Sequence, residues 1–206
     1  MEDVLAVYQL PYDPLRPVVC LDETNRQLIG EKIEPVPAKP GCPRIYDYEY
    51  VRNGVADIFM MFEPLAARRY VEVTDTRTKI DFAMCLRDLS DKYYPHAEKI
   101  VMVMDNLNTH SLASLYEAFP PVEARRLAER FEIHYTPKHA SWLDMAEIEI
   151  GVMSRQCLKE RIPSKEIMER KVKAWAYARN SSALTVNWQF TTADARIKLK
   201  KLYPKF

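Results

Sequence analysis

Val101, Met102, Val103 and Met104 form an unbroken apolar run, and the chain turns polar directly after it with Asp105, Asn106, Asn108, Thr109 and His110. A short apolar run of this kind marks a strand buried on both faces. The pattern predicts a central strand over Lys99–Asp105 that delivers a carboxylate at its end. Val18–Leu21 repeats the device on a smaller scale, with Asp22 at its end. The stretches VADIFMMFEP and RRYVEVTD read as two strands joined by a tight connection over Pro64–Ala67. FEIHYTP reads as a further strand, stopped at Pro137.

Between these strands the apolar spacing changes to that of helices. Thr78–Tyr94 places Ile80, Met84, Leu86 and Leu89 at helical intervals, with Thr76 or Thr78 as its cap. Ser111–Phe119 and Val122–Arg130 are helical pieces divided by Pro120 and Pro121. A helix is predicted over Trp142–Leu158, and Pro163-Ser164 opens another that runs to about Asn180. The remainder reads as a turn, a short helix and a basic tail. EKIEPVPAKPGCPR, with Pro35, Pro37, Pro40 and Pro43 around Gly41, is expected to be an extended loop.

The order is three strands, helix, strand, helix, strand, helices. It predicts an α/β fold of RNase H-like type, a mixed sheet with helices on both faces. A plain doubly wound fold would alternate strand and helix from the start. It usually brings a glycine-rich phosphate loop as well, and this chain has 4 Gly with neither G-x-G-x-x-G nor a Walker A run.

Composition changes this picture little. At 206 residues the chain suits a catalytic-size domain over residues 1–160 with a basic helical extension, 161–206, packed on it. No apolar segment approaches the roughly 18 residues that a membrane span needs. The acidic start does not resemble a signal peptide. Cys20, Cys42, Cys85 and Cys157 are scattered, without a C-x-x-C pair, so neither a zinc site nor a disulfide framework is expected. The expected home is a reducing cytoplasm. The net charge of +1 hides a division: residues 155–206 hold 13 Lys/Arg against 4 Asp/Glu, a net of +9, and the first 154 carry a net of −8. A basic final quarter on an acidic body suits a polyanionic partner.

Two strands that each end in Asp suggest metal chemistry. A hard divalent cation such as Mg²⁺ binds through a few carboxylates plus substrate phosphates. Two such ions about 3.5–4 Å apart can serve both the attacking and the leaving oxygen of a phosphodiester. A third acid must come from HASWLDMAEIEIG, which offers Asp144, Glu147 and Glu149. At 100° per residue Trp142, Leu143, Ala146, Ile150, Met153 and Cys157 share one helical arc. Glu147 and Glu149 flank that arc on opposite sides, with Asp144 farther out than Glu147, so periodicity does not choose between the two glutamates.

VVCLDET, VMVMDNLNTH and YTPKHASWLDMAEIEIGVMSRQ, taken with the tail from Arg161 to Pro204, resemble the catalytic blocks and C-terminal segment of the DDE transposases of bacterial insertion sequences in the mariner superfamily. The likeness covers nearly the whole chain. It implies a metal-binding catalytic triad of Asp22, Asp105 and Glu147, with Glu147 closing the run Leu143-Asp144-Met145-Ala146-Glu147. It also implies Mg²⁺ or Mn²⁺, two ions, and action on double-stranded DNA: transposon ends and a target, at a TA dinucleotide. A homodimer on DNA and a bacterial, nucleoid-associated cytoplasmic location follow from the same resemblance. The implied chemistry is strand cleavage by water and then attack of the freed 3′-hydroxyl on target DNA.

Two departures stand out. Asp144 occupies a position where the family carries Asn, and it is read as a helix cap before a fourth acid. The chain also begins just ahead of the first catalytic strand, without the family's helix-turn-helix region, so it resembles the catalytic domain alone. Asn106 and His110 match the family's Asp-Asn-x-x-x-His block and are accessory candidates beside Asp144. Lys138, His139, Arg161, Lys165, Lys171, Lys173, Arg196, Lys198, Lys200 and Lys201 are candidates for DNA phosphate contacts, which position the duplex without reading its sequence. Trp142 is read as a core anchor. Two rival readings are an RNase H-like nuclease that cuts without joining, and a catalytically silent DNA-binding or assembly module.

Overall fold

The computed structural model describes residues 1–138 and 140–203. Its sheet consists of β1 (Val18–Glu31), β2 (Tyr50–Glu63), β3 (Arg68–Thr74), β4 (Ile100–Met104) and β5 (Phe131–Tyr135), in the spatial order β3-β2-β1-β4-β5. The first three strands form an antiparallel meander, and β4 and β5 extend the sheet in parallel on the other side of β1. Parallel neighbours need crossovers, and helices supply them. The helices are α1 (Glu2–Val7), α2 (Lys79–Asp88), α3 (Ala113–Ala118), α4 (Pro121–Ala128), α5 (Met145–Cys157), α6 (Lys165–Ser181) and α7 (Thr192–Lys198).

One sheet face carries Val19, Leu21, Phe59, Met61, Met102 and Met104 against α2, α3 and α4 through Phe82, Leu86, Leu115 and Leu127. The other carries Cys20, Met60, Phe62, Val101 and Val103 against Val4, Ile150, Met153, Val172, Trp175 and Ala195 of α1, α5, α6 and α7. All five residues of β4 are buried, as its unbroken apolar run requires; each such side chain contributes roughly 1.5–3 kcal/mol on burial. The mixed sheet with helices on both faces is the RNase H-like architecture that the sequence predicts. The apolar residues of α6 and α7 belong to the same core as α5.

Several local expectations are corrected. β1 does not end at Leu21 but continues to Glu31, so Asp22 lies inside a strand. Its outer half pairs with the outer half of β2, Asn25 with Asp57 and Gly30 with Val51. Leu28 and Ala56 of that ribbon reach the core, but the polar run Asn25-Arg26-Gln27 before Leu28 hides the strand's continuation in the sequence. The proline-rich loop is not simply extended: Val36 bridges Ile45 and Lys39 bridges Cys42, folding back over Gly41 at φ 79°, a conformation that suits glycine. The helix after β3 starts at a capping box between Thr78 and Asp81 but ends at Asp88, and its last turn, Leu89–Tyr93, widens to a π-helix.

Before α5, Ser141–Leu143 is a 3₁₀ turn, and Asp144 caps the helix by accepting the Ala146 N–H at 2.8 Å. Trp142 is therefore off the helix and is not a core anchor. It is 41% exposed, with its ring 6.4 Å from Trp188 and 6.0 Å from Phe190. The sequence reading also missed α1, which Tyr8 ties down by donating to the Leu143 carbonyl at 2.6 Å. Among the described residues no helix is long and apolar enough to cross a membrane.

Candidate active site

The parallel pairing of β1 with β4 puts Leu21 opposite Met104, so Asp22 and Asp105 follow side by side on neighbouring strands. Side chains two apart on a strand share a face, which sends Asp22 to the side of Cys20. That side is covered by Leu143, Met145 and Ala146 at the start of α5. Asp22 Oδ1 accepts the N–H of Glu23 at 2.8 Å. Burial pushes its carboxyl up to about 7; the Glu23 N–H eases this, and the negative fields of Glu23, Asp105 and Glu147 add to it. The fields of Asp105 and Glu147 thus reach Asp22 from β4's exit and from α5.

Asp144 adds a fourth charge. It is 2% exposed, and while Oδ1 caps the helix, Oδ2 has no hydrogen-bond partner. Burial first, then Asp22, Asp105 and Glu147, hold its carboxyl well above the usual range. Glu147 is exposed one turn farther along.

Glu149 has a different occupation. It is buried and accepts two hydrogen bonds from Arg69, at 3.0 and 2.9 Å, and one from Arg179 at 2.8 Å. Arg69 also donates to the carbonyls of Ala67 and Leu184 and lies 4.5 Å from the Phe62 ring centre. This ion-pair cluster fastens β3, α5 and α6 together. It engages Glu149, whereas Glu147 lies exposed.

On the opposite side of Asp105 stands His110, 1% exposed. Its Nδ1 is 2.6 Å from Asp105 Oδ1 and its Nε2 is 2.9 Å from Glu23 Oε2. The second contact lacks hydrogen-bond alignment, so it is an ion-pair contact. Burial would lower the pKa of His110, but the two carboxylates outweigh it and raise it to about 9. In return, the bond from His110 lowers the Asp105 carboxyl. Asp105 Oδ1 also accepts the Leu107 N–H at 3.1 Å, closing the turn, and Asn106 is exposed on that turn. The sequence reading missed Glu23, which sits beside Asp22 but faces the other way. Arg77 approaches both it and Asp57, at 3.8 Å each.

Most of the basic candidates are held by acids. Arg161 pairs with Glu31 at 2.5 Å, Lys165 with Asp75 at 2.6 Å and Lys171 with Glu160 at 3.3 Å. Lys173 pairs with Glu169, Arg196 with Glu2 and Lys198 with Asp194. Lys138, Lys200 and Lys201 are exposed; His139 lies outside the described residues.

Among the described residues no three His, Cys, Asp or Glu groups form a ready-made metal cage. The donor chemistry nevertheless fits a hard cation: it is carboxylate oxygen throughout, with a partnerless buried oxygen on Asp144.

A mixed sheet whose central parallel strands set two aspartates side by side, under a helix that begins with further acids, defines an RNase H-like fold. The chain belongs to the DDE superfamily endonucleases, whose family model matches residues 17–169. Among solved structures it is similar to the Mos1 mariner paired end complex with Mn (16% identity, TM-score 0.58), covering 88% of this chain and 54% of that one. The Mos1 strand transfer complex (14%, TM-score 0.59) is covered to 53% by 88% of this chain. The mariner Mos1 paired end complex with Mg (16%, TM-score 0.57) is covered to 60% by 98% of it. At such identities the likeness is one of fold, and the chain spans 53–60% of the length of these relatives. No curated protein matches the sequence.

Proposed function

We propose that this chain is the catalytic domain of an insertion-sequence-type DDE transposase, which cleaves a DNA strand with divalent metal ions and joins the freed 3′-end to target DNA. The observation that supports it most is the pairing of Leu21 with Met104, which makes Asp22 and Asp105 neighbours under the helix that bears Glu147. Asp22, Asp105 and Glu147 hold the cations, two Mg²⁺ or Mn²⁺. Once bound, these supply Lewis acidity at the scissile phosphate and lower the pKa of an attacking hydroxyl or water. The chain's own work is orientation. β1 and β4 fix two carboxylates on a rigid sheet, and His110 holds Asp105 from behind. In both steps an oxygen nucleophile attacks phosphorus and the 3′-oxygen or its counterpart leaves, so no covalent protein intermediate is needed.

The substrate is double-stranded DNA, transposon ends and then a target with TA as its dinucleotide, handled by a homodimer within the bacterial cytoplasm. Support for DNA as the partner comes from the names of the structural neighbours, which are paired-end and strand-transfer complexes; the TA target, the homodimer and the bacterial location rest on the sequence resemblance alone. Residues 161–206 serve as the basic extension packed on the catalytic part, residues 1–160, and Lys138, Lys200 and Lys201 are its freest phosphate contacts.

The test is nicking and joining of supercoiled plasmid DNA in Mn²⁺. The expected result is cleavage by the wild-type chain, lost in Asp22→Asn, Asp105→Asn and Glu147→Gln, with joined products alongside the nicks. Cleavage without joining would reduce the reading to an RNase H-like nuclease. No metal-dependent cleavage or joining by the wild-type chain would overturn it in favour of a silent DNA-binding module.

A further inference from the structure

Asp144 spends only half of its carboxylate as a helix cap. Oδ1 receives the Ala146 N–H at 2.8 Å, and capping asks for no more than one acceptor oxygen. Oδ2 is buried without a partner in a residue that is 2% exposed. A buried acceptor left unpaired costs stability, and more when it is charged. The polar groups packed nearby do not relieve it. Tyr8 donates its hydroxyl to the Leu143 carbonyl at 2.6 Å and lies 3.5 Å from Cys20 Sγ.

Capping does not explain why an aspartate is here. Asn caps a helix as well as Asp does. An Asn would cap with its carbonyl oxygen and present an N–H₂ group where Oδ2 now stands, a donor that binds no cation. The aspartate instead adds a negative oxygen to a cluster that already holds Asp22, Asp105 and Glu147, all three of which act on it. The positive end of α5 offsets part of that repulsion.

We infer that Asp144 is a fourth carboxylate ligand of the site, whose Oδ2 helps to hold a divalent cation together with Asp22. This rests on the metal-dependent reading above. It makes Asp144 bifunctional, with one oxygen starting the helix that carries Glu147 and the other completing the cation's oxygen shell.

The test is calorimetric titration of Mn²⁺ into the full chain: wild type, Asp144→Asn, Asp144→Ser and Asp22→Asn, with melting temperatures recorded in EDTA. Asn and Ser both cap helices, so two independent variants remove the free carboxylate oxygen and keep the fold. The expected result is Mn²⁺ binding weakened at least about tenfold, or one ion fewer, in both Asp144 variants. Their melting temperatures in EDTA should equal or exceed that of the wild type. Wild-type affinity and stoichiometry in either variant, with binding lost in Asp22→Asn, would overturn the role of Asp144 and leave the metal-dependent reading standing. A wild-type chain that binds no Mn²⁺, even with duplex DNA present, would overturn both.

Discussion

His110 Nδ1 lies 2.6 Å from Asp105 Oδ1, and the other ring nitrogen of His110 faces Glu23. The imidazole is buried between two carboxylates and packs 4.9 Å from the ring centre of Phe82. Both nitrogens are donors only when the ring is cationic, and this arrangement favours that form. Asp105 is thereby oriented from the side away from Asp22. Because the arrangement raises His110 to about 9, above the ordinary value for histidine, its contribution to stability is complete below about pH 6.5 and is lost as pH rises through 9. In the metal-free chain, urea denaturation should show stability falling by about 2 kcal/mol between pH 7 and 9. His110→Gln should flatten that slope. An equal slope in the variant would show that the ring is neutral in the folded chain.

Asp22 behaves in the same sense in a lower window. Its carboxyl is raised to about 7, so the folded chain keeps a proton that the unfolded chain gives up, and stability falls as pH climbs from about 4 to 7. Asp22→Asn removes the charge that burial and the neighbouring acids oppose. In EDTA at pH 8 it should be more stable than wild type by roughly 1–3 kcal/mol, with the gap nearly closed at pH 4.5. Thermal melts at the two pH values check this. A variant less stable than wild type at pH 8 would mean that Asp22 has favourable partners in the folded state.

The two aspartates were legible in the sequence because their signal is local: an apolar run and then a carboxylate. The choice between Glu147 and Glu149 was not, since both flank the same apolar arc. What sets Glu149 apart is its bonding to Arg69 and Arg179, which lie 80 and 30 residues from it in the chain. Glu23 was invisible for a related reason, because its partner His110 comes from another strand's exit turn. Much of the outer β1–β2 ribbon was not legible because polar residues such as Asn25, Arg26, Gln27, Arg52 and Asn53 interrupt its apolar ones. The charge division is real as a count, but the sequence does not show that Glu160, Glu169, Asp194 and Glu2 pair with several of the same lysines and arginines.

That division of labour between the two glutamates gives a sharp contrast. Glu149→Gln leaves Arg69, with a fully buried side chain, short of its counter-charge, and breaking a buried pair from one side costs about 3–5 kcal/mol. Glu147→Gln alters an exposed side chain and should stay within about 0.5 kcal/mol of wild type, while metal binding and cleavage are lost. Chemical denaturation beside the plasmid assay separates the two. A Glu149→Gln variant of normal stability would show that the Arg69–Arg179 cluster does not depend on the charge.

The basic residues divide by their partners in the same way. Arg196 is engaged bidentately by Glu2, at 2.8 and 2.7 Å, in an exposed pair, so Arg196→Ala is expected to cost at most about 1 kcal/mol of stability. Lys200 and Lys201 are exposed and pair with no carboxylate among the described residues, so they can neutralise a phosphate without first breaking such a pair. Each replacement, Lys200→Ala or Lys201→Ala, should therefore weaken duplex binding about equally for any sequence and reduce the slope of log affinity against log salt by about 1. Fluorescence anisotropy with a labelled duplex at several salt concentrations measures both quantities. Unchanged slopes in the double variant would remove the C-terminal lysines from the DNA interface and shift the electrostatic contact to Lys138 and the turn before α5.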